Sequence, residues 1–412
     1  MKASASYYIG LFLVALSTIM YEILLTRIFS VTTWYHFAFL AITLAMLGMT
    51  LGSIVVYLKP NTFTQEKTRY FSSLSALMFA VFSVAAIMVH IYCPYFFPPA
   101  NLTLIIFGSL LAALPVLLVA FAFSGICVSL ALTRFTEQVN TLYAADLIGA
   151  AIGCSGIVLM LQFFDGISAS IAVAAIICAA AACFAGGQER KLQIVSAITG
   201  FAFAGLAVAN ASSPQPFLNI GWTKGVRELT VLYQKWNSFS RIRVMRNSDA
   251  PDKPYGHFSP VMPAKSVRQL WLDIDGCAQT TLTHFTGNIQ DVDFLKYDIS
   301  MMAHYLRPHS RVLVLGMGGG RDMLAALVMD QPSVTGVEIN PNIIKAVSDV
   351  FGDFTGHLDK NPHVRIVNEE ARSFVSHSSE RFDIILASFV DTWAASASGA
   401  YSMTENSFYT IE

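Results

Sequence analysis

Apolar residues follow two rhythms along this chain. Over the first half they form long, nearly unbroken runs at 7–29, 35–58, 70–91, 102–132, 142–162, 167–185 and 192–210. Crossing the hydrocarbon of a bilayer takes about 20 mostly apolar residues in a helix that rises about 1.5 Å per residue. Each run is therefore predicted to span. The fourth is overlong and contains Pro115 and Gly125, which predicts a kink or tilt. The stretch 92–100 mixes prolines with aromatics, as an interfacial loop does. Gly149 and Gly153 flank small residues and would let two helices approach closely. The first run is too long for a cleavable signal and is followed by more spans.

From residue 211 the rhythm shortens. A polar, proline-containing linker (Ala211–Pro216) leads to two alternating, β-branched stretches, Ser240–Met245 and Gln269–Ile274, predicted as strands. A helix is predicted over Val292–Leu306. Strands at Arg311–Gly316, Val334–Ile339, Val364–Asn368 and Phe382–Ala387 then alternate with helices at Met323–Val328, Ile343–Phe351 and Ala371–Ser376. Such alternation predicts a parallel, doubly wound sheet. The expected architecture is a multi-pass α-helical membrane domain (1–210), a linker and small β-structured region (211–306), and a Rossmann-like α/β domain (307–412). That last domain is expected to be truncated after its fourth strand.

Charge sharpens the division. Residues 1–210 carry 14 charged side chains and residues 211–412 carry 39, with no Lys, Arg, Asp or Glu between Arg69 and Arg134. A soluble domain averages about 25% charged residues. Lys2, Lys59, Lys67, Arg69, Arg134, Arg190 and Lys191 fall on one side of the predicted spans, which the positive-inside rule makes cytoplasmic. Glu22, Arg27 and Asp146 lie within or at the edge of apolar runs, where ionisable groups are functional candidates. Simpler readings exist: Arg27 can snorkel at a helix end, and Asp146 suits a helix N-terminus. The net charge of −1 implies no nucleic-acid partner. Of six cysteines only Cys277 lies in the second half, and no CxxC or Cys/His cluster occurs, so neither a disulfide framework nor a metal site is expected.

The segment richest in chemistry is Val312–Asp322, Val-Leu-Val-Leu-Gly-Met-Gly-Gly-Gly-Arg-Asp. An apolar strand runs into Gly316, Gly318, Gly319 and Gly320 and then into a helix beginning near Arg321. Glycines there allow a tight turn and close approach of a ligand, and the strand–turn–helix context is the one such a motif requires. Glu338 ends the next strand, in Val-Glu-Ile-Asn with Asn340, where an acid accepts hydrogen bonds from both ribose hydroxyls. Glu369-Glu370-Ala371 ends the third strand, where a carboxylate (Glu370) would meet the exocyclic amine of an adenine. The three positions describe an adenosine pocket; a dinucleotide site or an unliganded half-sheet fits them less well.

From Ser240 to Glu412 the chain resembles the spermidine synthase family, which has a class I S-adenosylmethionine-type fold, and especially its membrane-bound bacterial subgroup. The residues that carry the likeness are Leu272–Gln279 (Leu-Asp-Ile-Asp-Gly-Cys-Ala-Gln), Val337–Asn340, Phe382–Ile385, Val390–Trp393 and Thr404–Asn406. The resemblance implies a small β-structured lid before a seven-stranded nucleotide-binding domain, and S-adenosylmethionine or its decarboxylated form as cofactor. It also implies departures. Where aminopropyltransferases carry the Asp that deprotonates the attacking amine, this chain has Ser388; the family's second loop Asp is matched by Asp391, the candidate catalytic residue. The Tyr-His/Gln-Glu triplet falls on Asp298, Ile299 and Ser300, and an early-strand Gln on Ser240. The acid after the family's glycines becomes Arg321.

An amine nucleophile is protonated at neutral pH and needs a base. Arg321 would repel the ammonium of the decarboxylated donor and pair with the carboxylate of the intact one. The expected function is thus a membrane-bound, spermidine synthase-like group transferase of methyltransferase type, acting on a small-molecule or membrane-presented acceptor. The alternatives are a true polyamine aminopropyltransferase and a nucleoside-regulated transporter or sensor. A cytosolic cofactor calls for a cytoplasmic second half at the cell membrane, whereas seven spans would place it outside; a re-entrant segment, or a fourth run split into half-spans, would reconcile the two.

Overall fold

The structure, a computed structural model, describes residues 3–97, 101–228, 231–246 and 254–388. They divide into two compact units, Met1–Glu228 with Trp236–Ser238, and Leu229–Lys235 with Phe239–Glu412.

The first unit contains seven helices long and apolar enough to cross a membrane: α1 (Ala5–Thr32), α2 (Ala38–Leu58), α3 (Thr68–Tyr92), α4 (Leu102–Arg134), α5 (Val139–Phe163), α6 (Gly166–Ala185) and α7 (Arg190–Ser212). All seven predicted apolar runs are helices. α1 is the centre, packing against α2, α4, α5 and α6, and its Tyr7, Leu11, Tyr21 and Phe29 are fully buried. α4 runs unbroken for 33 residues with Pro115 inside it, so it is not a pair of half-spans. Its length of about 50 Å at 1.5 Å per residue exceeds the hydrocarbon thickness and calls for tilt.

Glycine sets the spacing of the helices. A Cβ on Gly52 would lie 2.1 Å from the Ala122 carbonyl oxygen, and one on Gly125 would lie 2.3 Å from that of Met49, so α2 and α4 meet backbone to backbone. Gly149 and Gly153 likewise face the Phe12 and Leu16 carbonyls of α1, the close approach expected of them. Gly125 therefore serves close packing. Gly52→Val is expected to destabilise the helical unit by about 1–3 kcal/mol through overpacking, read as a lowered melting temperature in detergent. Gly205→Ala, whose Cβ position has no neighbour within 4 Å, should leave it unchanged or raise it slightly.

Two sequence expectations fail here. Arg27 is fully buried within α1 and engaged by neighbours rather than snorkelling. Asp146 lies two turns inside α5, beyond the reach of the helix N-terminus. The two sides of the stretch expected as a linker are tied together: Asn210 in α7 donates to the Leu218 carbonyl at 3.0 Å and accepts from its N–H at 2.8 Å. A short hairpin, β1 (Trp222–Thr223) and β2 (Val226–Arg227), follows.

The second unit opens with an antiparallel sheet of four strands, β3 (Val231–Trp236), β4 (Arg241–Arg246), β5 (Gln269–Ile274) and β6 (Ala278–Thr283), in that order. β5 and β6 form a hairpin whose turn residues Asp275 and Gly276 both have positive φ, as such turns require. Arg243 and Asp273 lie opposite each other on β4 and β5. Their buried ion pair has contacts of 2.6–3.1 Å, and Asp273 also accepts the Gly276 N–H at 3.1 Å. The single helix predicted over Val292–Leu306 is instead a run of 3-10 turns ending in α8 (Met302–Leu306); Asp298 caps the last turn by accepting from the Ser300 N–H, which breaks helical continuity.

The β/α half follows: β7 (Arg311–Leu315), α9 (Arg321–Val328), β8 (Ser333–Glu338), α10 (Pro341–Lys345), a π-turn at Ala346–Val350, α11 (Gly352–Thr355), β9 (Val364–Asn368), α12 (Ala371–His377) and β10 (Ile384–Leu386). The helix predicted over Ile343–Phe351 is thus divided. All pairings are parallel, in the order β9-β8-β7-β10, a Rossmann-like half-sheet whose order reverses between β7 and β10. Ile242, Val244, Leu272 and Leu282 of the antiparallel sheet share one core with Val312, Val314 and Met323 of the parallel half.

Candidate functional site

The chain leaves β7 through a turn that only glycine allows. Gly316, Gly318 and Gly320 have φ of 74°, 49° and 86°, which side chains with a Cβ rarely adopt. Gly319 is constrained differently, since a Cβ there would lie 2.1 Å from the Thr281 carbonyl oxygen. β6 therefore crosses the turn, and Thr280 Oγ1 accepts the Gly319 N–H at 3.3 Å.

Glu338, at the carboxyl end of β8, reaches the same turn. One carboxylate oxygen accepts the Gly318 N–H at 3.2 Å and the other accepts the Asn340 N–H at 2.9 Å. Burial pushes this carboxyl above the ordinary range, while the N–H groups of Asn340, Gly318 and Ile339 pull against that rise. Each oxygen keeps a further lone-pair site, so the group can accept hydrogen bonds from a vicinal diol. Asn340 braces this arrangement. Its side-chain amide donates to Ser240 Oγ at 2.8 Å, across 100 residues of sequence, and its oxygen caps α10. Gly318, Glu338, Asn340 and Ser240 are thus brought together.

Glu370 is held by the helix that follows it. It caps α12, accepting the Arg372 N–H at 2.9 Å and the Ser373 N–H at 2.7 Å. Partial burial would raise its pKa, but these bonds and the Arg372 charge outweigh that and hold it below the usual range. Ala371 packs into the small core beside Phe374. The carboxylate expected to meet an adenine is thus also the N-cap of α12.

Around Arg321 the structure adds what the sequence concealed. One terminal nitrogen of its guanidinium donates to Asp298, whose other oxygen accepts from the Ser300 N–H and hydroxyl at 2.9 and 2.6 Å. Asp298 thus offsets much of the charge that the sequence assigned to Arg321. Arg321 Nε is buried and has no hydrogen-bond partner among the described residues, a donor edge suited to an acceptor from outside the chain. Gly256 closes over the pair, with no room there for a Cβ. Asp322, the next residue, is buried in the first turn of α9, and burial raises its carboxyl above the ordinary range. Asp391 lies outside the described residues. Thr280, Thr281 and Asp322 were given no role in the sequence, and Asp298 entered only as a departure from a family triplet. The Asp275-Gly276 turn signals a returning strand at the two threonines; an acid in the otherwise apolar stretch Met323–Val328 and its approach was the only hint of Asp322.

No family model matches the chain. A polyamine aminopropyltransferase of Buchnera aphidicola subsp. Schizaphis graminum (strain Sg) is 26% identical over 167 residues, covering 39% of this chain and 48% of that protein. The chain spans about half the length of the curated relative it matches. Among solved structures, a spermidine synthase in complex with the transition state analogue AdoDATO is 20% identical, with a TM-score of 0.26 over 38% of this chain and 46% of that one. The chain is distantly similar to a polyamine aminopropyltransferase.

Proposed function

We propose that the second unit binds an S-adenosylmethionine-type nucleoside and that the protein is a membrane-bound group transferase, with the seven apolar helices in the lipid bilayer and the acceptor a small molecule or one presented at the membrane. The observation that carries this reading is Glu338, fixed by the Gly318 and Asn340 N–H groups beside the glycine turn. Distant homology to a nucleoside-using transferase supports it. The orphaned, buried Nε of Arg321 also fits such a cofactor, since an acceptor there would relieve an unpaired donor.

When bound, such a cofactor supplies an electrophilic carbon on a sulfonium. The chain's residues hold and orient it: Glu338 would accept from the ribose hydroxyls, the Gly318–Gly320 turn would let backbone approach, and Arg321, steadied by Asp298, would offer Nε to a carboxylate. That last contact favours the intact donor over the decarboxylated one. Methyl transfer relies mainly on in-line positioning, which suits a site with Ser388 in place of an acid.

The homology favours a second reading, aminopropyl transfer to a polyamine. Calorimetry of the full-length protein in nanodiscs, with S-adenosylmethionine and its decarboxylated form, separates the two. The intact donor is expected to bind more tightly, and putrescine with the decarboxylated donor is expected to yield no spermidine. Tighter binding of the decarboxylated donor, with spermidine formed, would make polyamine synthesis the function.

A further inference from the structure

We propose that a cavity at one end of the helical unit is a built binding site for one water molecule, held by His90, Ser109 and Trp222, which joins the β1–β2 hairpin to α3 and α4.

The cavity gathers residues from distant parts of the chain. Thr32 ends α1, His90 lies in the last turn of α3, Ser109 lies two turns into α4, and Trp222 opens the hairpin. The hairpin is seated there by a separate bond, since the Lys224 N–H donates to the Thr32 carbonyl at 2.8 Å. The rest of the lining is apolar or backbone, as at Ile105 and Ile220, and no carboxylate, lysine or arginine takes part. The space open to the centre of a water-sized sphere is about 10 Å³, close to the room that one water needs.

The polar atoms around this space select the occupant. His90 is 3% exposed and Trp222 is 8% exposed. His90 Nδ1 and Trp222 Nε1 are both buried and have no hydrogen-bond partner among the described residues. The tautomer of His90 follows from Thr32. The Thr32 hydroxyl has a single hydrogen, and it donates to the Ile28 carbonyl at 2.8 Å, the usual back-bond of a helical threonine. In the 2.7 Å contact between Thr32 Oγ1 and His90 Nε2 the ring is therefore the donor, which leaves Nδ1 an unprotonated acceptor. Ser109 is 3% exposed and donates its own hydrogen to the Ile106 carbonyl at 3.0 Å, so its oxygen can still accept. The cavity thus offers two acceptors, His90 Nδ1 and Ser109 Oγ, and one donor, the Trp222 N–H. Water has two hydrogens to give and a lone pair to receive the third, and about three bonds is the usual number for a buried water. An alcohol could answer only one of the two acceptors. A cation would face the Trp222 N–H, and an anion the Nδ1 lone pair.

Two simpler accounts fall short. The Tyr95 ring stands edge to face with Trp222, centroids 6.0 Å apart, but an N–H directed at a ring is a weak substitute and does nothing for His90. The opposite tautomer would turn Nδ1–H toward the Ser109 carbonyl, and Thr32 would then have to leave the Ile28 carbonyl to give Nε2 a donor.

The test is solid-state NMR of the full-length protein in lipid bilayers with ¹⁵N-labelled histidine, the His90 signals being identified by their loss in His90→Gln. His90 Nδ1 is expected to resonate as an unprotonated nitrogen and to gain intensity from water protons at short mixing times, in spite of its burial. Ser109→Val, which fills the space with a methyl group, is expected to abolish that early transfer. It should also shift the emission of Trp222, read as the difference from Trp222→Phe, to the blue. A protonated Nδ1 in the wild type, no early transfer to it, or early transfer that survives Ser109→Val would each overturn the proposal. The wild-type spectrum decides the matter by itself if Ser109→Val does not fold.

Discussion

Glu338→Ala is expected to weaken binding of S-adenosylhomocysteine by roughly 1.5–3 kcal/mol, the usual range for hydrogen bonds to a charged group, or about 10- to 150-fold. Its buried carboxylate is aimed by two backbone N–H groups, at 3.2 and 2.9 Å, so it meets a ligand without reorganising. Removing it also leaves the Gly318 N–H without its acceptor, which loosens the turn that faces the nucleoside. The pH dependence gives an independent check. Because this carboxyl's pKa is raised in the folded state, the free protein's stability from this group is full below the unfolded value and is lost as pH rises through the folded one. Ligand affinity should rise over that same interval, as the carboxylate that accepts the hydroxyls forms. Unchanged affinity in the alanine variant would remove Glu338 from the site.

Asp273→Ala is expected to cost the second unit about 3–5 kcal/mol, the penalty for breaking a buried ion pair from one side. Arg243 would keep its charge inside the sheet without its bidentate partner, and the Gly276 N–H in the adjoining turn would lose its acceptor. Replacing both partners with apolar residues of similar volume (Arg243→Met with Asp273→Leu) should recover much of the loss, because neither charge is then stranded. Urea unfolding followed by tryptophan fluorescence, or proteolysis of the second unit in detergent, would measure both. A single variant as stable as the wild type would show that the pair contributes nothing net.

The helical unit was legible because a bilayer span needs only length and an absence of charge, and both are written in one dimension. The parallel half-sheet was legible for a similar reason: strands such as Val364–Asn368 are bounded by the residues that stop them. The antiparallel sheet was half read. β5 was placed, but β6 was not, because its polar sequence Ala-Gln-Thr-Thr-Leu-Thr lacks a strong apolar alternation and its strand state depends on pairing with β5. In the site, Gly318 and Glu338 were readable as local strand-end signals. Asp298 entered only as a departure from a family triplet, because its meaning comes from a partner at Arg321 that sequence spacing does not reveal. Glu370 illustrates the reverse case: its strand-end position suggested a ligand contact, while the two N–H groups just ahead of it in the chain had the nearer claim.

The Thr281 carbonyl pressed against Gly319 has a consequence for how the second unit comes into being. β6 lies directly across the glycine turn, and apolar residues of β4, β5 and β6 sit in the same core as β7 and α9. The antiparallel sheet is therefore not a detachable cover. Amide hydrogens of β6 and β7 should exchange with solvent at matching rates, as members of one cooperative opening unit, and a fragment beginning at residue 307 should stay unfolded.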